Sequence, residues 1–120
     1  MTERIQQKRH KGKEVICFDY RGLDEEDEFI EMAEKALEYN LKLNRPTLQL
    51  TNITGCYLTP RIMEYINTTM PKVSHLIIKD ALIGITGAKR ILFQVYNMMV
   101  RGNARAFKDE EEALEWLVRD

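Results

Sequence analysis

Serine, cysteine, histidine, proline and tryptophan are all scarce in this chain. Its 120 residues hold two cysteines, two histidines, three prolines and one tryptophan, and Ser74 is the only serine. Each scarcity closes a class of function. Cys17 and Cys56 form no close pair and supply nothing like the disulfide framework of a small secreted domain. With His10 and His75 they make no cluster at zinc-ligand spacing, so the expectation is a reducing, cytoplasmic setting with no cofactor and no structural metal. A lone serine outside any Gly-x-Ser-x-Gly setting removes the usual serine nucleophile. No sign of charge prevails: 18 basic and 19 acidic side chains leave a net charge of −1, which removes a general electrostatic case for nucleic acid. Long apolar runs are missing too. Val15 to Phe18 is about the longest, against the ~20 residues a spanning helix requires, so membrane insertion is not expected. The segment from Met1 to Lys8 lacks the apolar stretch of a secretory signal.

What is present is ordinary globular composition, 44% apolar and 31% charged. The length favours one domain spanning residues 1–120. The polar, basic segment Thr2 to His10 and the turn Lys11-Gly12-Lys13 predict a hairpin whose first strand lies at a sheet edge, where lysines discourage further pairing. Glu14 to Tyr20 follows, and its four successive apolar residues predict a strand covered on both faces, with Cys17 buried among them.

Asp24 then opens the acidic run Glu25, Glu26, Asp27 and Glu28. Five acids in a row suggest a cation patch. The simpler reading is a helix start, with Asp24 as cap and the rest complementing the macrodipole. Phe29, Ala33, Leu37 and Leu41, with Ile30 and Ala36, predict its apolar face, and Pro46 its end. Thr47 to Ile53 alternates and predicts a strand. Thr59-Pro60 opens a second helix with the stripe Ile62, Met63, Ile66 and Met70, up to Pro71. A short turn from Lys72 places Val73, Leu76 and Ile77 on one side, with His75 at the surface.

Ala81 to Ile85 is the clearest buried strand. A helix is expected after Thr86-Gly87, with Ala88, Ile91, Leu92, Val95, Met98 and Met99 on its apolar face and Gly102 at its end. Ala104 to Phe107 predicts a last strand. Asp109 with Glu112 gives an acidic capping box for a final helix docked by Ala113, Trp116 and Leu117. Strands alternating with helices predict an α/β fold: a mixed, mostly parallel sheet of four to five strands flanked by about four helices.

In such sheets, ligands bind outside the carboxyl ends of the strands. Three loops qualify: Tyr20 to Leu23, Thr54 to Thr59 and Gly84 to Arg90. In the third, Thr86 and Gly87 free backbone N–H groups while Lys89 and Arg90 add charge, a combination suited to an anion. Its spacing departs from a P-loop, and a glycine at such a turn serves backbone geometry equally well. Cys56 sits in the second loop as a candidate nucleophile, although nothing in the sequence marks a neighbour that would activate it.

Thr47 to Thr54 resembles the STAS-like proteins, named for sulfate transporters and anti-sigma factor antagonists. The resemblance is to a short prokaryotic branch similar to the sporulation anti-sigma factor antagonist. It extends over Lys11 to Glu14, Asp19 to Leu23, Lys79 to Gly87 and the ending Phe107 to Leu117. The resemblance implies one STAS-like domain without enzymatic activity. In the antagonists, a hydroxyl at the start of the second helix is phosphorylated to release a partner. Their Asp-Ser-Ser-Gly motif falls here on Tyr57, Leu58, Thr59 and Pro60, where only Thr59 keeps a hydroxyl; a plain N-cap is the competing role. Two readings follow. The first is a module that binds a protein partner, or itself, through Tyr57, Thr59 and Thr54 near Thr86. The alternative is a module for a small anionic or lipid-like ligand at Thr86, Gly87, Lys89 and Arg90. A third, weaker reading makes Cys56 the nucleophile of a hydrolase or transferase.

Overall fold

Lys11 and Gly12 both take left-handed backbone angles, with φ of 50° and 82°. That is the requirement of a two-residue hairpin turn whose twist matches its strands. It joins β1 (Ile5–His10) to β2 (Lys13–Asp19), antiparallel from His10↔Lys13 to Ile5↔Phe18. The structure, a computed structural model, describes residues 3–87, 89, 90, 94 and 103–119. The helix expected from Ala88 to Gly102 lies outside the described residues, apart from Lys89, Arg90 and Gln94.

After the hairpin the strands run parallel. β3 (Thr47–Asn52) pairs with β2, β4 (Ile77–Ile83) with β3, and β5 (Ala104–Phe107) with β4. Spatial order therefore equals chain order, β1-β2-β3-β4-β5. Successive crossovers step in one direction, and right-handed connections then place their helices on one face. α1 (Glu26–Leu43) and α2 (Pro60–Thr69) occupy that face, where Phe29, Met32 and Ile62 pack with Ile16, Phe18, Tyr20 and Ile53. α3 (Glu110–Val118) covers the other, with Ala113 and Leu117 against Val15, Leu50, Ala81 and Ile83.

Several boundaries differ from expectation, each for a physical reason. Asp24 does not cap α1. Glu25 holds the N-cap position without a side-chain bond, so the first turn relies on Glu26, Asp27 and Glu28 facing the helix dipole. Leu41 is 48% exposed. A strict four-residue repeat advances about 40° per step on a helix, so the series from Phe29 has left the buried face by Leu41. Met32 and Asn40 are the residues on that face, and Asn44 closes the helix in the left-handed region. β4 begins at Ile77 rather than Ala81, and Gly84 and Ile85 lie beyond it. Lys79 and Asp80 had broken its apolar signal. Lys79 reaches out to cap α3, donating to the carbonyls of Trp116 at 2.9 Å and Arg119 at 2.7 Å, while Asp80 is buried. Cys17 is half-buried rather than enclosed.

Other expectations are met closely. The Thr59 side chain accepts the Ile62 N–H and Pro60 takes the first helical position. The Asp109 carboxylate accepts the Glu112 N–H at 2.9 Å. Val73, Leu76 and Ile77 are buried around two short 3-10 turns, and His75 is exposed. The hairpin also holds α3 through Lys8–Glu110 at 2.8 Å and Lys11–Glu115 at 2.7 Å, with His10 3.1 Å from Glu115.

Candidate functional site

Three loops meet at the carboxyl end of the sheet, and the backbone itself joins them. The N–H of Tyr20 donates to the Asn52 carbonyl at 2.9 Å, and that of Ile53 to the Ile83 carbonyl at 2.8 Å. Gly84 makes the tightest approach. It has φ of +99°, and a Cβ there would lie 2.6 Å from the Thr54 nitrogen. Only glycine fits. The middle loop, Ile53 to Thr59, is thus pinned on both sides.

The residues singled out from the sequence occupy this rim in different ways. Thr54 is exposed, and both its N–H and its hydroxyl donate to the Asn52 side chain, at 3.0 and 2.7 Å. Tyr57 is 68% exposed at the crest of the same loop. Thr59 lies half-buried at its foot, accepting the Ile62 N–H and donating to the Glu26 carboxylate. The carbonyls of exposed Thr86 and Gly87 accept the N–H groups of Lys89 and Arg90, each at 3.1 Å. Lys89 folds its ammonium back onto the Gly84 carbonyl at 3.2 Å. Arg90 instead borders a separate cleft alongside Arg105, Phe107 and Glu111. The structure therefore gathers Thr54, Tyr57 and Thr59 on one loop but gives Lys89 and Arg90 different surroundings.

The acidic run at α1 is likewise shared out. Glu26 takes the Thr59 hydroxyl, and Asp27 pairs with Arg61 at 2.7 Å, tying the starts of α1 and α2 together. Among the described residues no three His, Cys, Asp or Glu side chains could hold a metal. Cys56 is 1% exposed and donates its thiol to the Tyr20 carbonyl at 3.0 Å. Burial raises its pKa, with Lys89 pulling the other way. Burial pushes Cys17 up to about 11. Both thiols are thereby held in the less nucleophilic form. On the rim, Arg21 grips Asp19 with two hydrogen bonds of 2.9 Å and holds its carboxyl below the usual carboxylate range.

Beneath the rim lies a feature the sequence reading missed. A cavity of about 130 Å³ sits between α1, α2 and the sheet. Its described wall includes Phe18, Phe29, Leu58, Ile66, Met70 and Leu82, together with the polar residues Asn40, Gln49, Thr51 and Asp80. Gln49 donates to Asn40 at 2.8 Å and to Thr47 at 3.0 Å, and Thr51 donates to Asp80 at 2.9 Å. Among the described residues no buried side-chain nitrogen or oxygen lacks a partner. Polar Asn40, Gln49 and Asp80 at core positions were the available signal, together with small Ala33 and Ala36 on the buried side of α1.

No protein-family model matches the chain, and no curated protein matches it. A solved structure does: an uncharacterized protein of the DUF3478 family with a SpoIIAA-like fold, from Shewanella loihica PV-4. The TM-score is 0.69, with 94% of this chain and 91% of that one covered. This chain has a SpoIIAA-like fold. At 18% identity the likeness is one of architecture. In SpoIIAA-like terms, the fold implied by the resemblance is present, with Thr59 at the start of its second helix. Among the described residues no helix of this fold is long and apolar enough to cross a membrane.

Proposed function

We propose that this chain is a non-enzymatic STAS-like module of the cytoplasm that binds a protein partner, or a second copy of itself, across the rim of carboxyl-end loops. The observation that carries this reading is Tyr57: a tyrosine 68% exposed on a loop pinned from both sides. Exposed aromatic side chains on rigid supports are frequent anchors of interfaces, because little ordering is needed on binding. Leu41 and Ile78, the other exposed large apolar residues described, sit away on α1 and β4. Thr59 joins this loop to α2 as its N-cap. A phosphoryl group there would meet the Glu26 carboxylate and disturb the cap, which is how modification would alter the rim.

The test compares wild type with Tyr57→Ala by native mass spectrometry and sedimentation, alone and after affinity capture from cells. A dimer or defined complex that weakens at least tenfold in the variant, with the circular dichroism spectrum unchanged, is the expected result. A wild-type chain that stays monomeric and unaccompanied, or a variant that binds equally well, overturns it.

The cavity favours a second reading, a carrier or sensor of a small molecule. Its supporting observation is a largely apolar, partly open space between α1, α2 and the sheet rather than an anion site at Thr86, Gly87, Lys89 and Arg90. A non-covalent mass adduct that disappears on denaturation would establish it.

A further inference from the structure

The wall of the cavity restricts what could occupy it. Resting on the small-molecule reading above, we infer that the site takes a small, neutral, single-ring apolar compound rather than an anion or a lipid chain. Volume sets the size. The cavity measures about 130 Å³, similar to the ~150 Å³ apolar cavity that accepts benzene or xenon and well short of the ~300 Å³ where sites for larger ligands begin. Its lining sets the charge. The described lining residues include no lysine, arginine or histidine, while Asp80, 2% exposed, lies among them. A carboxylate or phosphate would give up part of its water there beside an acid and, among the described residues, without a cation.

Ring shape follows from the aromatic wall. Tyr20 and Phe29 stand 4.7 Å apart, centroid to centroid, at a tilt of 37°, and Phe18 completes that side. Such a surface favours another ring at a tilted or edge-on contact. The polar groups along the floor already have partners, Gln49 with Asn40 and Thr51 with Asp80, so a ligand without polar atoms leaves none of them stranded. Ala33 and Ala36 supply the space where larger residues of α1 would fill it.

The experiment uses the full chain with three probes: toluene, benzoate and decanoate. Binding is followed by titration calorimetry, by thermal shift, and by nuclear Overhauser contacts between toluene and the methyl groups of Ala33, Ile66 and Met70. Toluene is expected to bind saturably with those contacts, and benzoate and decanoate at least tenfold more weakly. Ala33→Leu is expected to weaken toluene at least tenfold; if that variant does not fold, Ala36→Leu is read in its place. Benzoate or decanoate binding as tightly as toluene would overturn the neutral-ring inference while leaving the small-molecule reading standing. No binding by any probe would overturn both. Toluene binding without contacts to the three methyl groups would place the site elsewhere and overturn the inference.

Discussion

Val15, Leu50, Ala81 and Ile83 meet Ala113 and Leu117 of α3 on one face of the sheet. Their neighbours in the same strands, among them Ile16, Phe18, Gln49, Thr51 and Leu82, turn to α1 and α2. The α3 face packs small and aliphatic side chains with Phe107 and Trp116, ion pairs from the hairpin hold the helix down, and a pocket of about 150 Å³ borders Leu50, Ile83 and Glu110. The α1–α2 face includes buried polar groups and an apolar cavity of about 130 Å³. Strand alternation gives every face its set of residues, and among the described residues α3 covers one set while α1 and α2 share the other. One short helix can seat itself in the best-fitting groove. Two helices fixed to successive strands must also satisfy each other, and a space is left at their junction.

The largest effect that would test this contrast is at Leu117, 1% exposed where α3 packs on the sheet. Leu117→Ala is expected to cost about 3–4 kcal/mol in denaturant unfolding. A loss under about 1 kcal/mol would show that α3 is loosely seated. Next come the thiols, one on each face. At neutral pH a pKa of about 11 leaves Cys17 with roughly 300-fold less thiolate than a free thiol near 8.5. Alkylation of the native chain is therefore expected to be slow at Cys17 and slower still at enclosed Cys56. Rapid labelling of Cys56 would mean that the α1–α2 face opens readily.

A paired substitution sharpens the contrast by sign. Ala81→Leu, at a fully buried site under α3, should destabilise the chain by about 2 kcal/mol through overpacking. Ala33→Leu, facing the cavity, should stabilise it by about 1 kcal/mol. Effects of the same sign would erase the distinction. The smallest effect concerns the clamp on α3. Glu115 has its pKa lowered by Lys11 first and by His10 next. A carboxylate lowered in the folded state stabilises above its unfolded pKa of about 4.3 and loses that contribution as pH falls through the folded value. Glu115→Gln should flatten the acid limb of stability below about pH 5; an unchanged limb would show that the clamp does not contribute.

Much of this architecture was legible because the signals were local. Lys11-Gly12 specified the hairpin, Thr59-Pro60 and Asp109 opened helices, and Ala104 to Phe107 stood out as a strand. The start of β4 was hidden because Lys79 and Asp80 acquire their partners only in three dimensions, one at the end of α3 and the other at Thr51. Leu41 misled because a repeat of four drifts around a helix of 3.6. The rim loops were readable from strand-to-helix transitions, yet the Gly84–Thr54 approach that fixes them was not. The cavity was least legible of all. It arises from Asn40 on a helix, Gln49 and Asp80 on separate strands and two alanines, none of which is unusual in its own stretch of sequence.

The spatial order β1-β2-β3-β4-β5 gives protein synthesis a direction. Each parallel strand leaving the ribosome docks on the edge supplied by the one before it, so the sheet grows without inserting a later strand between earlier ones. α3 emerges after all five strands, and Glu110 and Glu115 reach Lys8 and Lys11 across more than a hundred residues of chain. Until then the aliphatic face of Val15, Leu50, Ala81 and Ile83 is open to water. That interval, rather than any stage of pairing within the sheet, is when a nascent chain has most need of a chaperone.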